Sequence, residues 1–222
     1  MSNSKLEGLK NITITLAVSS VFIAGGIGGY KILSELKTLK RDNEILTENF
    51  SRVNKKIILE ATLSKKMPTL SVDEIISTSD RIYDLCQLYK MPISLVCGLI
   101  EVESQWNPKA TSSVNAKGLM QLMSATAKPY LRADHLDYNP NILYDPVTNV
   151  TIGIEYLNDL HTEHIENGYP DTNYIFSLHS FFWGTSNTYA LYGKKDVRVN
   201  VPNFSYPSRV LEASKQYQQL GL

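Results

Sequence analysis

The sequence lacks an excess of charge of either sign, since 22 lysines and arginines balance 22 aspartates and glutamates over 222 residues. The basic residues are also spread along the chain rather than clustered. A nucleic-acid-binding surface needs a concentrated positive field. The composition therefore argues against nucleic acid as a partner.

Cysteine is scarce as well, because only Cys86 and Cys97 are present. Both fall on segments with the apolar spacing of amphipathic helices, where a small thiol commonly fills space in the core. A disulfide between them is the alternative if the protein works in an oxidising compartment.

Charged residues are missing from residue 11 to residue 30. An uncharged, largely apolar run of this length is typical of a transmembrane helix. A cleaved signal peptide and a buried core helix are the alternatives. Small residues at four-residue spacing in the run favour helix self-association. We therefore predict a short tail and a membrane helix over residues 1–33, with residues 11–30 in contact with the membrane.

The next segment carries apolar residues at alternating intervals of four and three, the heptad pattern of a coiled coil. The pattern runs over residues 32–57 and places Asn43 at an a position. A buried Asn at that position favours a parallel dimer in fixed register. A solvated amphipathic spacer helix is the alternative. Either interpretation predicts a helical stalk and linker over residues 34–69.

A third domain is predicted over residues 70–222. Ser71 and Glu74 form a capping box that begins a helix, and Pro92 suits the first turn of the next one. That next helix, roughly residues 93–104, has an apolar stripe at Val96, Leu99 and Ile100. Glu103 continues the stripe, whereas Glu101 points elsewhere. A carboxyl at the end of an apolar stripe is partly desolvated, which raises its pKa and suits it to general acid catalysis. A helix-end glutamate that simply reaches solvent is the alternative.

The residues around Glu103 resemble the lytic transglycosylase family, whose catalytic (SLT) domain has a goose-lysozyme-like fold. The segments that carry the resemblance are Glu-Ser-Gln-Trp-Asn-Pro-Lys-Ala at 103–110 and Gly-Leu-Met-Gln-Leu-Met at 118–123. The resemblance implies that Glu103 is the acid/base, that Ser104 helps to position the reacting sugar, and that Met120 and Gln121 contact the glycan.

Two later segments extend the resemblance to about residues 72–215. Asp145-Pro146 begins a motif shared with a family helix, with Asp145 expected as its N-cap. Tyr206 begins a Tyr-x-x-x-Val element whose Tyr borders the family's cleft. The family's late Ala-Tyr-Asn-Ala-Gly is replaced by Ser-Phe-Phe-Trp-Gly at 180–184, so Phe181 keeps an apolar wall of the cleft but loses a phenol. Tyr206 or another tyrosine is expected to compensate.

Acidic residues are absent between Glu103 and Asp134. Most glycosidases use two carboxyls. A muramic acid residue can instead supply its own nucleophile, the C6 hydroxyl, if one group first donates a proton and then accepts one. One tuned glutamate therefore suffices to form a 1,6-anhydro sugar, which is also the family's reaction. Hydrolysis remains the alternative if Asp134, Asp137 or Asp145 folds into the site.

Several other residues could bind a metal or a sugar, but a structural role is the more common one for each. His161 and His164 share one face of a predicted helix, but no third metal ligand is evident, so we expect a solvated surface and no metal site. Trp106, Trp183, Tyr130 and Tyr138 are interpreted as core or cleft-wall residues that could also stack on sugars. No cofactor is expected.

The sequence thus predicts a mainly α-helical, lysozyme-like peptidoglycan lytic transglycosylase on a membrane anchor, with a homodimer or higher homo-oligomer through residues 32–57. Its catalytic domain would lie in the periplasm, with the anchor in the bacterial inner membrane, or a phage particle would deliver the protein to the cell envelope. In either setting it would open the wall locally, in the second for genome delivery. The excess of basic residues after residue 30 predicts, by the positive-inside rule, that the C-terminal part lies in the cytoplasm. A protein delivered by a phage particle would not be subject to this rule. The alternative is a weakly active structural or channel-forming envelope or virion protein that retains the glycan-binding fold.

Overall fold

The computed structural model describes residues 27–131, 139–169, 171, 173–192 and 205–222. The predicted membrane contact over residues 11–30 lies outside the described residues, apart from the backbone of its last turn. Among the helices that are described, none combines the length and the apolar character that a membrane crossing requires.

The described residues are mainly helical, which confirms the mainly α-helical character of the predicted fold, and two isolated β-bridges join residues 111, 117 and 122. The transmembrane helix and the coiled-coil stalk of that prediction stay predictions. Two short 3₁₀ helices occupy Lys128–Tyr130 and Pro140–Tyr144. The α-helices are α1 (Ile27–Lys66), α2 (Val72–Leu88), α3 (Ile93–Ser104), α4 (Ser124–Ala127), α5 (Pro146–Glu166), α6 (Ile175–Trp183), α7 (Thr185–Tyr192) and α8 (Ser205–Leu220).

Helix α1 contributes to both of the compact units into which the chain divides, residues 1–54 and 55–222. In the first unit, four residues of the predicted heptad seam are more than half exposed: Leu39, Leu46, Phe50 and Val53. An exposed apolar seam is compatible with the predicted oligomer, which stays a prediction. In the second unit, Leu59 and Leu63 of α1 are fully buried and belong to its core.

The predicted caps of α2 and α5 are confirmed. Ser71 accepts a hydrogen bond from the Glu74 backbone N–H, and the Glu74 carboxylate accepts one from the Ser71 N–H, so both partners satisfy otherwise free donors. Asp145 caps α5 by accepting from the Thr148 N–H at 2.8 Å, with Pro146 in the first turn.

Helix α3 lies in the centre of the second unit and carries the candidate site. Val96, Leu99 and Ile100 are fully buried, and burial of each such side chain contributes about 1.5–3 kcal/mol. Gly98 lies where α3 crosses α8, because a Cβ at this position would come within 2.7 Å of the Ser214 N and the Val210 O. The missing side chain therefore allows the two backbones to approach closely and fixes the position of α3 against α8.

Both cysteines are free and buried, so they fill the core as the helical spacing predicted and form no disulfide. Desolvation raises the pKa of Cys86 to about 12 and raises the pKa of Cys97 well above its usual value. Both thiols therefore stay protonated and unreactive at neutral pH.

Candidate active site

Glu103 lies in the last turn of α3, at the end of the buried stripe, and its side chain is partly buried. Burial raises the pKa of Glu103 from 4.5 to about 7, against the opposing effects of Tyr206 and Arg209. A carboxyl in this range holds its proton on half of the molecules near neutral pH. It can therefore both donate and accept a proton under the same conditions.

Tyr206, near the start of α8, donates a hydrogen bond from its phenol to the Glu103 carboxylate. Its side chain is buried, and burial raises the pKa of Tyr206 well above its ordinary value. The phenol therefore stays a donor at any physiological pH. The Arg209 guanidinium follows one turn later and lies 5.8 Å from the centre of the Tyr206 ring.

The neighbouring Glu101 is in a different environment. Its carboxylate accepts hydrogen bonds from the Lys66 ammonium at 2.7 Å, from the Trp106 indole at 2.7 Å and from the Tyr217 phenol. Although burial acts to raise the pKa of Glu101, the bonds from Lys66, Tyr217 and Trp106 together lower it. Two glutamates on one helix end thus differ in charge, with Glu101 ionised and Glu103 poised to hold a proton.

The chain reverses directly after α3, because Gln105 and Trp106 both adopt left-handed backbone angles, with φ of 51° and 65°. The reversal buries Trp106, which is only 1% exposed. Trp106 is therefore a core residue, not a sugar-stacking one. The Ser104 hydroxyl donates to the Ile100 carbonyl of its own helix at 3.2 Å, and its role in positioning a sugar stays a prediction.

The Gly-Leu-Met-Gln segment is held by a buried side chain, that of Asn149 on α5. The Asn149 carbonyl oxygen accepts from the Met120 N–H at 2.8 Å. Its amide nitrogen donates to the Lys117 carbonyl at 3.0 Å and to the Leu143 carbonyl at 2.8 Å. Gly118, at φ 76°, has no room for a Cβ, which would lie 2.1 Å from the Leu143 oxygen. One asparagine therefore fixes the course of the segment.

The two side chains predicted to contact glycan from this segment differ in accessibility. Met120 is fully buried, with its thioether against Gly153, so a contact with glycan would require the side chain to move. Gln121 is partly exposed, adopts a φ of 47°, and donates from its side chain to the Gly118 carbonyl at 2.9 Å. The predicted glycan contacts of both residues stay predictions.

Phe181 was expected to form an apolar wall of the cleft, and the two phenylalanines of α6 make different contacts near the site. Phe181 packs against Tyr156, with 5.3 Å between ring centres. Phe182 instead stacks on Tyr206, at 4.4 Å between centres and 18° between ring planes. The phenol that Phe181 lacks is supplied to Glu103 by Tyr206, as the sequence allowed.

The expectation that His161 and His164 form a solvated surface is wrong. His164 is fully buried and shares a 2.9 Å hydrogen bond with Ser180 of α6. His161 lies 3.2 Å from the buried Asp171 carboxylate. The error arose because α6 packs against this face of α5, which the sequence did not reveal. Within the described part of the chain, no three His, Cys, Asp or Glu side chains lie together as metal ligands.

Hydrolysis would require a second carboxyl in the site, from Asp134, Asp137 or Asp145. Asp134 and Asp137 lie outside the described residues, and Asp145 is occupied as the cap of α5. The electrostatic neighbours of Glu103 within the described residues are Tyr206 and Arg209, and neither is acidic.

Sequence reasoning missed three contributors to this site. Arg209 could have been found from its position one helical turn after Tyr206. The Glu101 network and the stacking of Phe182 on Tyr206 join residues far apart in the sequence, and no local pattern signals them.

Comparison with known proteins supports the resemblance read from the motifs. The family described as Transglycosylase SLT domain matches residues 84–188. The membrane-bound lytic murein transglycosylase E of Buchnera aphidicola is 28% identical over 208 residues, which cover 91% of this chain and 83% of that protein. The soluble lytic murein transglycosylase of Escherichia coli is 31% identical over 117 residues, covering 52% of this chain and 17% of that protein.

A second membrane-bound relative and one solved structure also match. The membrane-bound lytic murein transglycosylase C of Histophilus somni is 29% identical over 127 residues, and this chain spans 35% of that protein's length. Among solved structures, an inactive mutant of the lytic transglycosylase Slt from Pseudomonas aeruginosa superposes with a TM-score of 0.51 at 20% identity. The match covers 63% of this chain and 24% of that one, and it concerns the fold.

Proposed function

We infer that this chain, which carries a transglycosylase SLT domain at residues 84–188, is a peptidoglycan lytic transglycosylase that cleaves the β-1,4 bond between MurNAc and GlcNAc. One observation carries the proposal: Glu103 is a partly buried carboxyl with its pKa raised to about 7 and with a buried phenol bound to it. The relatives named as lytic murein transglycosylases support the reaction class.

The proposed reaction needs one titratable group in two roles. Protonated Glu103 donates its proton to the bridging oxygen as the bond from that oxygen to C1 of MurNAc breaks. The resulting carboxylate then accepts the proton of the C6 hydroxyl, whose oxygen bonds to C1 and closes the 1,6-anhydro ring. No water is consumed, and Glu103 returns to its protonated state.

Tyr206 is proposed to stabilise the carboxylate between these two steps. A phenol that stays protonated can donate to the charged form of Glu103, and hydrogen bonds to charged groups contribute about 1.5–3 kcal/mol. Ser104, Gln121, Met120 and Phe181 remain proposed substrate-binding residues. The phenol on Glu103 also counts against the weakly active structural alternative, which rested on the phenol missing at position 181.

Mass analysis of the muropeptides released from purified sacculi tests the reaction. The wild-type protein should release 1,6-anhydro products, each lighter by one water than the hydrolytic equivalent. Glu103→Gln should release none, whereas the matched control Glu212→Gln, an exposed glutamate on α8, should behave as wild type. Hydrolytic products, or equal activity from Glu103→Gln, would refute the proposal.

We further propose that the enzyme is anchored through residues 11–30 and forms a parallel homodimer or higher homo-oligomer through residues 32–57. Two of the compared relatives are named as membrane-bound, and the seam of α1 is exposed on the single chain. An anchor would restrict cutting to the reach of the tether, which suits local wall opening, whether in the periplasm of a cell or by a phage particle at the envelope.

Cysteine cross-linking tests the oligomer. With Cys86 and Cys97 replaced by alanine, oxidation of Asn43→Cys, in the seam, should trap a covalent dimer. Glu48→Cys, at an f position on the outer face of the same helix, should stay monomeric. Equal cross-linking at both positions, or none at Asn43→Cys, would contradict the predicted seam.

A further inference from the structure

Two adjacent aromatic side chains at the end of α6 are strongly exposed. Phe182 is 53% exposed and Trp183 is 50% exposed. Large apolar side chains that lie together on a protein surface commonly mark a binding site. The two rings nevertheless differ in what they contact.

Phe182 has one ring face covered and lies beside the tilted Trp183 ring, with 6.3 Å between ring centres, yet about half of its surface stays exposed. Its covered face stacks on Tyr206, at 4.4 Å and 18°, and the Tyr206 phenol is bonded to Glu103. Tyr206 therefore links the Phe182 ring to the Glu103 carboxyl through one stacking contact and one hydrogen bond. A sugar next to a bond cleaved at Glu103 would come within reach of Phe182.

The chemistry of the glycan matches such a surface. A β-linked N-acetylhexosamine carries its substituents around the edge of the ring, so its two flat faces present C–H bonds. These weakly positive hydrogens pack favourably on the negative face of an aromatic ring. A phenylalanine has no polar atom that would compete for the carboxyl, so it can bind the sugar without disturbing the proton on Glu103.

We propose that Phe182 is a sugar-binding platform, on which the exposed ring face packs against the pyranose ring beside the cleaved bond. The platform rests on the proposed function, since it takes the same glycan as ligand. Tyr206 then has two contacts in the site: its phenol donates to Glu103, and its ring packs under Phe182. Phe182 binds the sugar and so positions the bridging oxygen against the acid.

Trp183 offers a matched control on the same helix. It is exposed to the same extent, but its ring stacks on the buried His179, at 5.9 Å and 26°. The His179 ring is in turn bonded to Thr188 of α7, so this contact ties α6 to α7 and not to the Glu103 side of the helix. A loss specific to Phe182 would therefore not be explained by exposed aromatic area alone.

The test measures binding and turnover separately. Soluble, uncrosslinked glycan strands, prepared from sacculi with an amidase, are titrated into the Glu103→Gln protein by calorimetry. Adding Phe182→Leu, which keeps apolar cover over Tyr206 but removes the aromatic face, should weaken binding about 3- to 10-fold. Phe182→Trp should retain the affinity, and Trp183→Leu should leave it unchanged.

In the active protein, the same Phe182→Leu change should raise KM about 3- to 10-fold and leave kcat within about two-fold. The assay runs at pH 5.5, below the pKa of Glu103, so a small change in that pKa does not alter its proton occupancy. Unchanged affinity and KM in Phe182→Leu, an equal loss in Trp183→Leu, or no binding of the strands at all would overturn the platform. Failure of the proposed function has a different signature: the wild type would release no anhydro products, whatever the strands' affinity.

Discussion

Replacing Glu103 by glutamine should remove activity and, at alkaline pH, make the folded protein more stable. The reason is that burial raises the pKa of Glu103 from 4.5 to about 7, so the folded chain resists ionisation of this carboxyl more than the unfolded chain does. A group whose pKa is raised by folding contributes stability below its unfolded pKa, and that contribution is lost as the pH rises through the folded pKa.

The magnitude follows from the size of the pKa change. A rise from 4.5 to about 7 corresponds to roughly 3 kcal/mol of stability lost between acid and alkaline pH, as an upper limit. Glutamine cannot ionise and still accepts the Tyr206 hydrogen bond. We therefore expect Glu103→Gln to match the wild type near pH 4 and to exceed its free energy of unfolding by up to about 3 kcal/mol at pH 8.5.

Glu101→Gln is the matched control, two residues away on the same helix. The Lys66, Tyr217 and Trp106 hydrogen bonds outweigh burial and lower the pKa of Glu101, so its stabilisation is present at neutral pH and is lost as the pH falls. Urea unfolding at a series of pH values should show Glu101→Gln destabilised at neutral pH and converging on wild type in acid. A Glu103→Gln protein whose difference from wild type does not grow between pH 4 and 8.5 would refute the reasoning.

Three further outcomes follow from the site. Tyr206→Phe removes a hydrogen bond that lowers the pKa of Glu103, so the alkaline limb of the pH–rate profile should move to higher pH. The control Tyr217→Phe, on the same helix, should leave that limb in place. A move of the limb to lower pH in Tyr206→Phe would contradict the proposed hydrogen bond. Gly98→Ala should push α3 and α8 apart, which should lower the free energy of unfolding by about 1–3 kcal/mol and reduce kcat. An unchanged free energy of unfolding together with an unchanged kcat would contradict the close approach of the two helices at Gly98. Asn149→Ala leaves the Met120 N–H and the Leu143 carbonyl without this partner, whereas the Lys117 carbonyl still accepts from the Leu122 N–H. Urea unfolding should therefore show a loss of about 2 kcal/mol or more, and a loss under about 1 kcal/mol would contradict the role of Asn149.

Local patterns were sufficient to predict where several residues of the candidate site lie in the fold. The bounds of α3 follow from Pro92 and from the apolar stripe, and the stripe itself placed Glu103 at the edge of the core. The caps at Ser71 and Asp145 are likewise encoded within four residues. These features depend on contacts along one helix, which sequence spacing reports directly.

Features that depend on contacts between distant segments were not predictable in this way. The spacing of His161 and His164 placed them on one face of α5, but only the packing of α6 decides that His164 is buried. The environment of Glu101 is set by Lys66 and Tyr217, which lie 35 and 116 residues away. The lowered pKa of Glu101 therefore could not be predicted from α3 alone, although the apolar stripe of that helix did indicate the raised pKa of Glu103.

The part of α1 that packs in the second unit affects how a truncated protein should be made. The SLT match begins at residue 84 and the predicted catalytic domain at residue 70, yet Leu59, Leu63 and Met67 are buried in the core, and Lys66 holds Glu101. A fragment cut at either of those points would expose apolar core surface and leave the Glu101 carboxylate without its cation. Recombinant fragments intended for crystallisation or for protein engineering should therefore begin no later than residue 55.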